Sequence, residues 1–370
     1  MSISVSDRGF AETSSWQANE NLHSQYASLG CSGIEQINWS QYESLIESIV
    51  SSSSQWPAHS QFEYHHPAEL QDATFGLGKS YSVPLAYSDP GGTGEPVIAI
   101  GGLTNTSQRF DFLALDTMPK VRLIGLDLAG RGYSGWMTEI SDYTLDSYIE
   151  QLRQFLDHMS FDACTLLGSS LGGTIAICFC ARYPHRVKRI ILNDSGPFIP
   201  RKRRTRRAVA VARFYVFKSP CQMFRRTGAA AKHTGPVADA VLLHNSHHKT
   251  CWSQTENGRV YRHDLRAMLA YRSEADNDLN VWSDWNHVTC PVLLLHGTES
   301  DATTTQTIEQ MRNGKQMSVI HIQDTGHTPQ FGGGRLNGLI RDWVLNDHKY
   351  SEDLHLEPLR FHSNILYPND

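Results

Sequence analysis

The sequence predicts an α/β fold: a mostly parallel central sheet flanked by helices, with an inserted, mainly helical cap. Two observations lead to this prediction. Short apolar runs alternate with helical patterns from about residue 74 to residue 192, which is typical of a parallel sheet covered on both faces. The alternation stops between residues 198 and 285, where helical patterns occur without a convincing strand, and resumes at Pro291.

The composition is that of a globular protein with a sizeable core. The chain has 370 residues, of which 40% are hydrophobic and 19% are charged. A formal net charge of −5 gives no general attraction to nucleic acid, so we expect no nucleic-acid partner. No apolar run approaches the roughly 18 residues of a membrane span. Seven cysteines without a C-x-x-C motif, and an N-terminus unlike a signal peptide, predict a cytoplasmic protein with reduced thiols.

Composition and pattern divide the chain into four predicted parts. These are an N-terminal extension (1–73), a core in two pieces (74–197 and 286–346), the helical cap (198–285) and a C-terminal tail (347–370). The extension is rich in Ser, Gln and Asn, and roughly its first 15 residues are expected to be disordered. Trp39–Val50 predicts a helix with Ser40 as its N-cap. The tail is expected to wrap the surface. Because of the extension, a homodimer is one of the open interpretations.

The core elements follow from apolar runs bounded by turn residues and from helical spacing. The predicted strands are Thr74–Val83, Leu85–Ser88, Pro96–Ile100, Val121–Leu126, Ala163–Leu167, Val187–Leu192, Pro291–Gly297 and Met317–Ile322. The predicted core helices are Ser107–Met118, Tyr143–Met159, Leu171–Tyr183, Thr303–Asn313 and Leu336–Asn346, and those of the cap include Arg204–Phe217 and Arg262–Tyr271.

A G-x-S-x-G motif lies where a predicted strand ends and a predicted helix begins. It runs from Gly168 to Gly172, with Ser170 at its centre. In such a strained turn the serine hydroxyl is exposed, and small flanking residues let the backbones pass closely. The motif alone is a weak signal, so partners elsewhere in the chain must support it. The neighbouring Ser169 is expected to be a packing residue.

A serine nucleophile needs a general base and a third group that orients the base. His327 is the predicted base, because it lies in a glycine-containing loop after the strand Met317–Ile322. Asp301 is the favoured acid, since it follows the strand that ends at Gly297 and can lie near the tip of its own loop. Asp194, which also follows a strand, and Asp324, close to His327 in sequence, are the alternatives.

The tetrahedral intermediate of acyl transfer needs fixed N–H donors. The backbone N–H groups of Leu171, directly after the serine, and of Leu103, after two glycines at a strand end, are the predicted oxyanion hole. No cofactor or metal is expected. His244, His247 and His248, like the pair His65-His66, lack a coherent further ligand and are expected to be surface histidines.

With these motifs assembled, the chain resembles the α/β-hydrolase superfamily from about Thr74 to Asn346, and most of all its bacterial carboxylic ester hydrolases. The segments that carry the resemblance are Gly102-Leu103-Thr104, Asp127–Ser134, Gly168–Gly173, Leu192–Pro197, His296–Asp301 and Gly326–Pro329. The resemblance implies the α/β-hydrolase fold and a serine triad. Two features are unusual: the long N-terminal extension, and Gly101 where a histidine is common before the oxyanion-hole glycine.

Two charged clusters carry open interpretations. Asp127, Arg131 and Tyr133 either hold their loop together, which is favoured, or contact substrate. The basic run from Arg201 to Arg207 is favoured as a solvated face at the start of the cap. A nucleic-acid or nuclear-import patch, the steering of an anionic substrate and the binding of an acidic partner are the alternatives.

The expected function is serine hydrolysis of a small-molecule carboxylic ester through an acyl-enzyme intermediate. The same triad serves lactone, thioester and C–C bond hydrolases and acyltransferases, so these stay open. A non-catalytic ligand-binding module on a hydrolase scaffold is a more remote alternative, disfavoured because all three triad residues are present. The residues that select the substrate are expected in the cap.

Overall fold

A computed structural model describes residues 37–70, 80–231, 234–235, 238–345 and 353–357. The predicted disorder at the N-terminus, residues 74–79 of the first predicted strand and most of the predicted tail lie outside these ranges. Within the described ranges, no helix combines the length and apolar character needed to cross a bilayer.

The strands in chain order are β1 (Ala58–His66), β2 (Tyr81–Asp89), β3 (Glu95–Ile100), β4 (Val121–Leu126), β5 (Cys164–Ser169), β6 (Val187–Asn193), β7 (Phe198–Ile199), β8 (Val216–Phe217), β9 (Thr250–Ser253), β10 (Gly258–Tyr261), β11 (Leu279–Asn280), β12 (Val292–Gly297), β13 (Met317–Ile322) and β14 (Leu354–Leu356). The helices are α1 (Trp39–Val50), α2 (Asp111–Thr117), α3 (Leu145–His158), α4 (Leu171–Arg182), α5 (Arg201–Val211), α6 (Pro220–Ala231), α7 (Asp239–His248), α8 (Leu265–Glu274), α9 (Trp282–His287), α10 (Thr305–Arg312) and α11 (Arg335–Leu345).

Among the described residues, nine strands form one sheet in the order β1-β2-β4-β3-β5-β6-β12-β13-β14. The pairs β1–β2 and β2–β4 are antiparallel and the others are parallel. Alternate residues of β3 enter two different apolar clusters: Ile98 and Ile100 pack on one face, and Val97 and Ala99 on the other. Because both faces are buried, the strand is apolar without interruption. The predicted mostly parallel α/β sheet is confirmed.

The sheet extends beyond the predicted core at both edges. Strand β1 lies within the predicted extension, and β14 lies within the tail that was expected to wrap the surface. In β1 only Phe62, Tyr64 and His66 point inward, and the residues between them are polar and exposed. The boundary at residue 74 is therefore corrected, because a half-exposed edge strand that buries a histidine lacks a clear apolar pattern.

The segment between the neighbouring strands β6 and β12 contains more than helices. Helices α5 to α9 are accompanied by a three-stranded sheet, β8-β10-β9, and by the pair β7-β11. The expectation that residues 198–285 contain no strand is therefore wrong. These strands have two to four residues each, and such short strands are too brief to produce a readable period of two.

Helix α1 joins the predicted extension to this inserted segment. It spans the predicted residues, but its N-cap is Asn38 rather than Ser40, because Asn38 and Gln41 form a capping box. The helix buries Tyr42, Ile46 and Ile49. The Tyr42 hydroxyl donates to the carbonyl of Leu243 in α7 at 3.3 Å. The extension thus stabilises the segment that covers the carboxyl edge of the sheet.

A buried histidine cluster fastens α7 to the body of the protein. Nε2 of His244 lies 2.9 Å from the carboxylate of Asp111, and both side chains are almost inaccessible. Nδ1 of His248 lies 2.9 Å from the Tyr133 hydroxyl. His247 is half-buried, so the prediction of surface histidines is wrong for all three residues. The ring of His66 is also buried, whereas His65 is exposed as expected.

This cluster should make the fold sensitive to acid. Burial, aided by the nearby charge of Arg259, lowers the pKa of His247 to about 3, and burial also lowers the pKa of His248. Such a histidine has a lower pKa in the folded state than in the unfolded state, where it is near 6.5. Its contribution to stability is therefore complete above pH 6.5 and is lost as the pH falls below that value. We expect up to about 1.4 kcal/mol of lost stability per pH unit for each histidine below pH 6.5.

Urea unfolding at pH 7 and pH 5 measures this loss. The variant His247→Gln should show a smaller difference in unfolding free energy between the two pH values. The control His185→Gln, at an exposed histidine, should behave like the wild type. An unchanged pH dependence in His247→Gln would contradict the assignment.

Candidate active site

Ser170 occupies a sharp turn between β5 and α4. Its φ of 52° lies in the left-handed region, which is unfavourable for a serine and is maintained here by close packing. A Cβ at Gly168 would lie 2.4 Å from the carbonyl oxygen of Gly172, and one at Gly172 would lie 2.1 Å from that of Ile100. Only glycine fits both positions, which explains the spacing of the motif. The adjacent Ser169 is buried and accepts a hydrogen bond from Asn193, in line with a packing role.

His327 lies between Ser170 and a buried carboxylate. Its Nε2 is 3.1 Å from the Ser170 hydroxyl oxygen, and its Nδ1 is 2.7 Å from Oδ2 of Asp194. The three side chains come from the carboxyl ends of β5, β6 and β13, which meet at one edge of the sheet. A serine, an imidazole and a carboxylate in this order form the constellation that can activate a hydroxyl as a nucleophile.

The acid beside His327 is Asp194, and not the Asp301 that the sequence favours. Asp301 is half-exposed to solvent and forms ion pairs with Arg203, at 2.9 Å, and with Arg206 on helix α5. The other alternative, Asp324, is exposed, and none of its contacts in the described part of the chain involves His327. The prediction of Asp301 is therefore corrected to Asp194.

The loop that contains Asp301 still contributes to the site, through the preceding residue. The Ser300 hydroxyl donates to Oδ2 of Asp194 at 2.5 Å, and the Thr328 N–H approaches the same oxygen at 3.4 Å. Asp194 is fully buried. These donors, together with Nδ1 of His327, offset the cost of removing a carboxylate from water.

Arg109 fixes the histidine loop, and the sequence reasoning missed it. The residue is buried in a 3₁₀ turn (Ser107–Phe110), and its guanidinium donates to the carbonyls of Thr328 and Pro329 at 2.8 and 2.9 Å. Burial lowers the pKa of Arg109 to about 10. No motif marks this arginine, because its partners are backbone carbonyls more than 200 residues away in the sequence.

The predicted oxyanion-hole residues flank Ser170. Leu171 is the first residue of α4, where an N–H has no partner within the helix. Leu103 follows Gly102, at which an added Cβ would lie 3.3 Å from the Cβ of Ser170. Arg131 Nε donates to the carbonyl of Leu103 at 3.1 Å and so fixes the orientation of this loop. Both peptide groups therefore lie on the segments that border the serine.

The cluster of Asp127, Arg131 and Tyr133 is engaged in loop contacts. Asp127 is buried and accepts hydrogen bonds from the N–H groups of Ser107, at 2.6 Å, and Tyr133, at 3.0 Å. Burial raises the pKa of Asp127 to about 7. Arg131 binds the Tyr148 hydroxyl and two backbone carbonyls. These contacts fit the favoured interpretation, in which the cluster holds the loop.

The residues that the structure describes include no group of three or more His, Cys, Asp or Glu side chains that could hold a metal ion. His244, His247 and His248 lie close together, but the first two are directed at carboxylates and the third at a tyrosine hydroxyl.

The chain is similar to several known proteins. The model of the α/β-hydrolase fold family matches residues 95–333. A 3-hydroxybutyrate-oligomer hydrolase of Cupriavidus necator is 24% identical over 67% of this chain and 88% of its own. An α/β hydrolase of Novosphingobium aromaticivorans superposes with a TM-score of 0.63 at 18% identity, over 78% of this chain and 98% of its own. An esterase of Mycobacterium tuberculosis superposes with a TM-score of 0.59 at 20% identity, over 82% and 99% of the two chains.

The contact between Asp194 and His327 predicts which carboxylate supports the reactivity of Ser170. Asp194→Asn should slow the reaction of Ser170 with a fluorophosphonate probe on the order of 10⁴-fold, because the imidazole loses its orienting carboxylate. Asp301→Asn is the matched control and should change the rate less than about threefold, since half-exposed ion pairs contribute little. A large effect of Asp301→Asn with a small effect of Asp194→Asn would reverse the assignment.

The state of His327 predicts a pH dependence. Burial lowers the pKa of His327 below its ordinary 6.5, although the Asp194 carboxylate opposes the shift. The neutral imidazole, which is the form able to accept a proton, therefore persists to lower pH. If His327 is the base, the labelling rate of Ser170 should rise with pH through an inflection below 6.5. The exposed-site variant His185→Gln should show the same inflection as the wild type. An inflection above 6.5 would mean that the carboxylate outweighs burial.

Proposed function

The chain belongs to the α/β-hydrolase fold family, and we propose that it is a serine hydrolase that cleaves a carboxylic ester through an acyl-enzyme intermediate. The observation that carries the proposal is the hydrogen-bonded chain from Ser170 to His327 to Asp194, with distances of 3.1 and 2.7 Å. Two of the similar proteins support the ester as substrate: one is an esterase, and the other is a hydrolase of 3-hydroxybutyrate oligomers, whose units are joined by ester bonds.

In the first half of the proposed reaction, Ser170 attacks the ester carbonyl. Nε2 of His327 takes the hydroxyl proton, and Asp194 stabilises the imidazolium through Nδ1. The N–H groups of Leu103 and Leu171 bind the oxygen on which negative charge develops. The imidazolium then gives its proton to the leaving alkoxide, so that the alcohol departs and the acyl group stays on Ser170.

In the second half, water attacks the acyl-enzyme. His327 takes a proton from the water, a second tetrahedral intermediate forms in the same oxyanion hole, and the proton returns to Ser170 as the carboxylic acid leaves. Ser170, His327 and Asp194 each act in both halves of the proposed reaction, and neither half requires a cofactor. In both halves Asp194 holds one tautomer of His327 and stabilises the imidazolium.

The same machinery can cleave lactones, thioesters or C–C bonds, or transfer the acyl group to an alcohol. Product analysis in water, with and without an added alcohol acceptor, separates hydrolysis from transfer. A non-catalytic binding module is disfavoured because ligand recognition does not require all three hydrogen-bonded triad residues.

Reaction with a fluorophosphonate probe and hydrolysis of p-nitrophenyl butyrate test the proposal. The wild type should do both, and Ser170→Ala should abolish both because the nucleophile is removed. Ser169→Ala is the matched control and should still label, since that hydroxyl is buried against Asn193. A wild type that neither labels nor hydrolyses a panel of esters would refute the proposal.

A further inference from the structure

Two cysteines that are far apart in the sequence meet where the end of α4 approaches the segment between α9 and β12. Cys180 lies in the last turn of α4, and Cys290 lies two residues before β12. Their Sγ atoms are 3.6 Å apart, within hydrogen-bonding distance for sulfur. The six cysteines in the described ranges are free thiols, so the two residues form a reduced pair in direct contact.

The pair is close to the geometry of a disulfide. An S–S bond is about 2.05 Å long, so the two sulfurs have to approach each other by roughly 1.5 Å in total. Residues 288–291 belong to neither a helix nor a strand. Cys290 can therefore adjust its position without leaving a regular element, while Cys180 stays in its helix.

The surroundings of Cys180 favour its thiolate, which is the reactive form of a cysteine. Its Sγ accepts hydrogen bonds from the Cys290 thiol and from the backbone N–H groups of Thr289 and Cys290. The bond from the Cys290 thiol is the main reason why the pKa of Cys180 is lowered; burial opposes the shift, and the backbone donors add to it. In contrast, burial raises the pKa of both Cys164 and Cys178 to about 12.

A lysine holds the segment that contains Cys290. Nζ of Lys315 donates to the carbonyls of Asn286 and Val288 at 2.9 and 2.6 Å. Its positive charge also lowers the pKa of Cys180. Hydrogen-bond donors and a fixed cation around one sulfur form the electropositive surroundings that make a cysteine reactive.

The two thiols differ in their access to solvent. The side chain of Cys180 is fully buried, whereas that of Cys290 is partly exposed. A small oxidant can reach Cys180 beside Cys290, but a bulky one such as glutathione disulfide is hindered. The arrangement therefore suits a hydroperoxide as the oxidant, and hydrogen peroxide is the smallest of this class.

We propose that Cys180 and Cys290 are a redox modification site, at which hydrogen peroxide oxidises the two thiols to a reversible disulfide. The Cys180 thiolate attacks one peroxide oxygen, so that an S–O bond forms, the O–O bond breaks and the leaving oxygen takes a proton to become water. Cys290 then gives up its proton and attacks the sulfenic acid on Cys180. The S–S bond forms, the S–O bond breaks, and the second oxygen leaves as water. Two electrons pass from the thiols to the peroxide.

The disulfide would connect α4 to the start of β12 and would close a loop between positions 110 residues apart. Such a bridge restricts the unfolded chain and so stabilises the folded state. Cys180 is ten residues beyond Ser170, which corresponds to about 15 Å along α4. The inference does not depend on the proposed ester hydrolysis, because its test follows sulfur chemistry alone.

Treatment of the purified protein with a few equivalents of hydrogen peroxide tests the site. Peptide mapping of the wild type without reduction should show Cys180 linked to Cys290, and dithiothreitol should separate them. In Cys290→Ser the linkage should be lost, and dimedone should trap a sulfenic acid on Cys180. Cys178→Ala, at a buried cysteine on the same helix, is the matched control and should form the linkage at the wild-type rate.

Urea unfolding of the wild type gives a readout that needs no variant. The midpoint should rise after oxidation and should return to its first value with dithiothreitol, because the bridge closes a long loop. Absence of the Cys180–Cys290 linkage in the peroxide-treated wild type, or earlier oxidation of Cys164 or Cys178, would overturn the proposal. Equally fast bridging by glutathione disulfide would overturn the assignment of a hydroperoxide as the oxidant.

Discussion

The contact between Asp194 and His327 is the constraint on which the rest of the site depends. A carboxylate that is fully removed from water is tolerated only where donors surround it. Asp194 follows β6, and its donors come from two other segments: Ser300 follows β12, and His327 and Thr328 follow β13. The N–H of Asp194 also bonds to the carbonyl of Leu295 in β12. Because β6, β12 and β13 are neighbours in the sheet, the donors lie close enough to stabilise the buried carboxylate of Asp194.

Two buried arginines hold the loops around this acid without using carboxylates. Arg109 binds the carbonyls of the histidine loop, and Arg131 binds the carbonyl of Leu103. Carbonyl acceptors fix the position of a guanidinium but do not neutralise it.

The segment inserted between β6 and β12 is held from two sides. Helix α1 packs against α7 through Tyr42, and the histidine cluster ties α7 to Asp111 and Tyr133 of the core. Residues 37–70 are therefore part of the body of the protein. Strand β1 forms one edge of the sheet, and helix α1 packs against the inserted segment.

The local features of this protein are predictable from its sequence. Continuous apolar strands, helical spacing and the glycines beside Ser170 act over a few residues, so the α/β fold, the turn at Ser170 and the loop of His327 could be predicted. Tertiary structure alone decided the acid. Asp194 and Asp301 both follow strands that end at the same edge, and separation along the chain does not measure distance in space. Asp301 turns outward because Arg203 and Arg206, on an inserted helix, neutralise it, whereas Ser300 turns inward to Asp194. Arg109 could not be identified from the sequence for the same reason, since its carbonyl partners are more than 200 residues away in the chain.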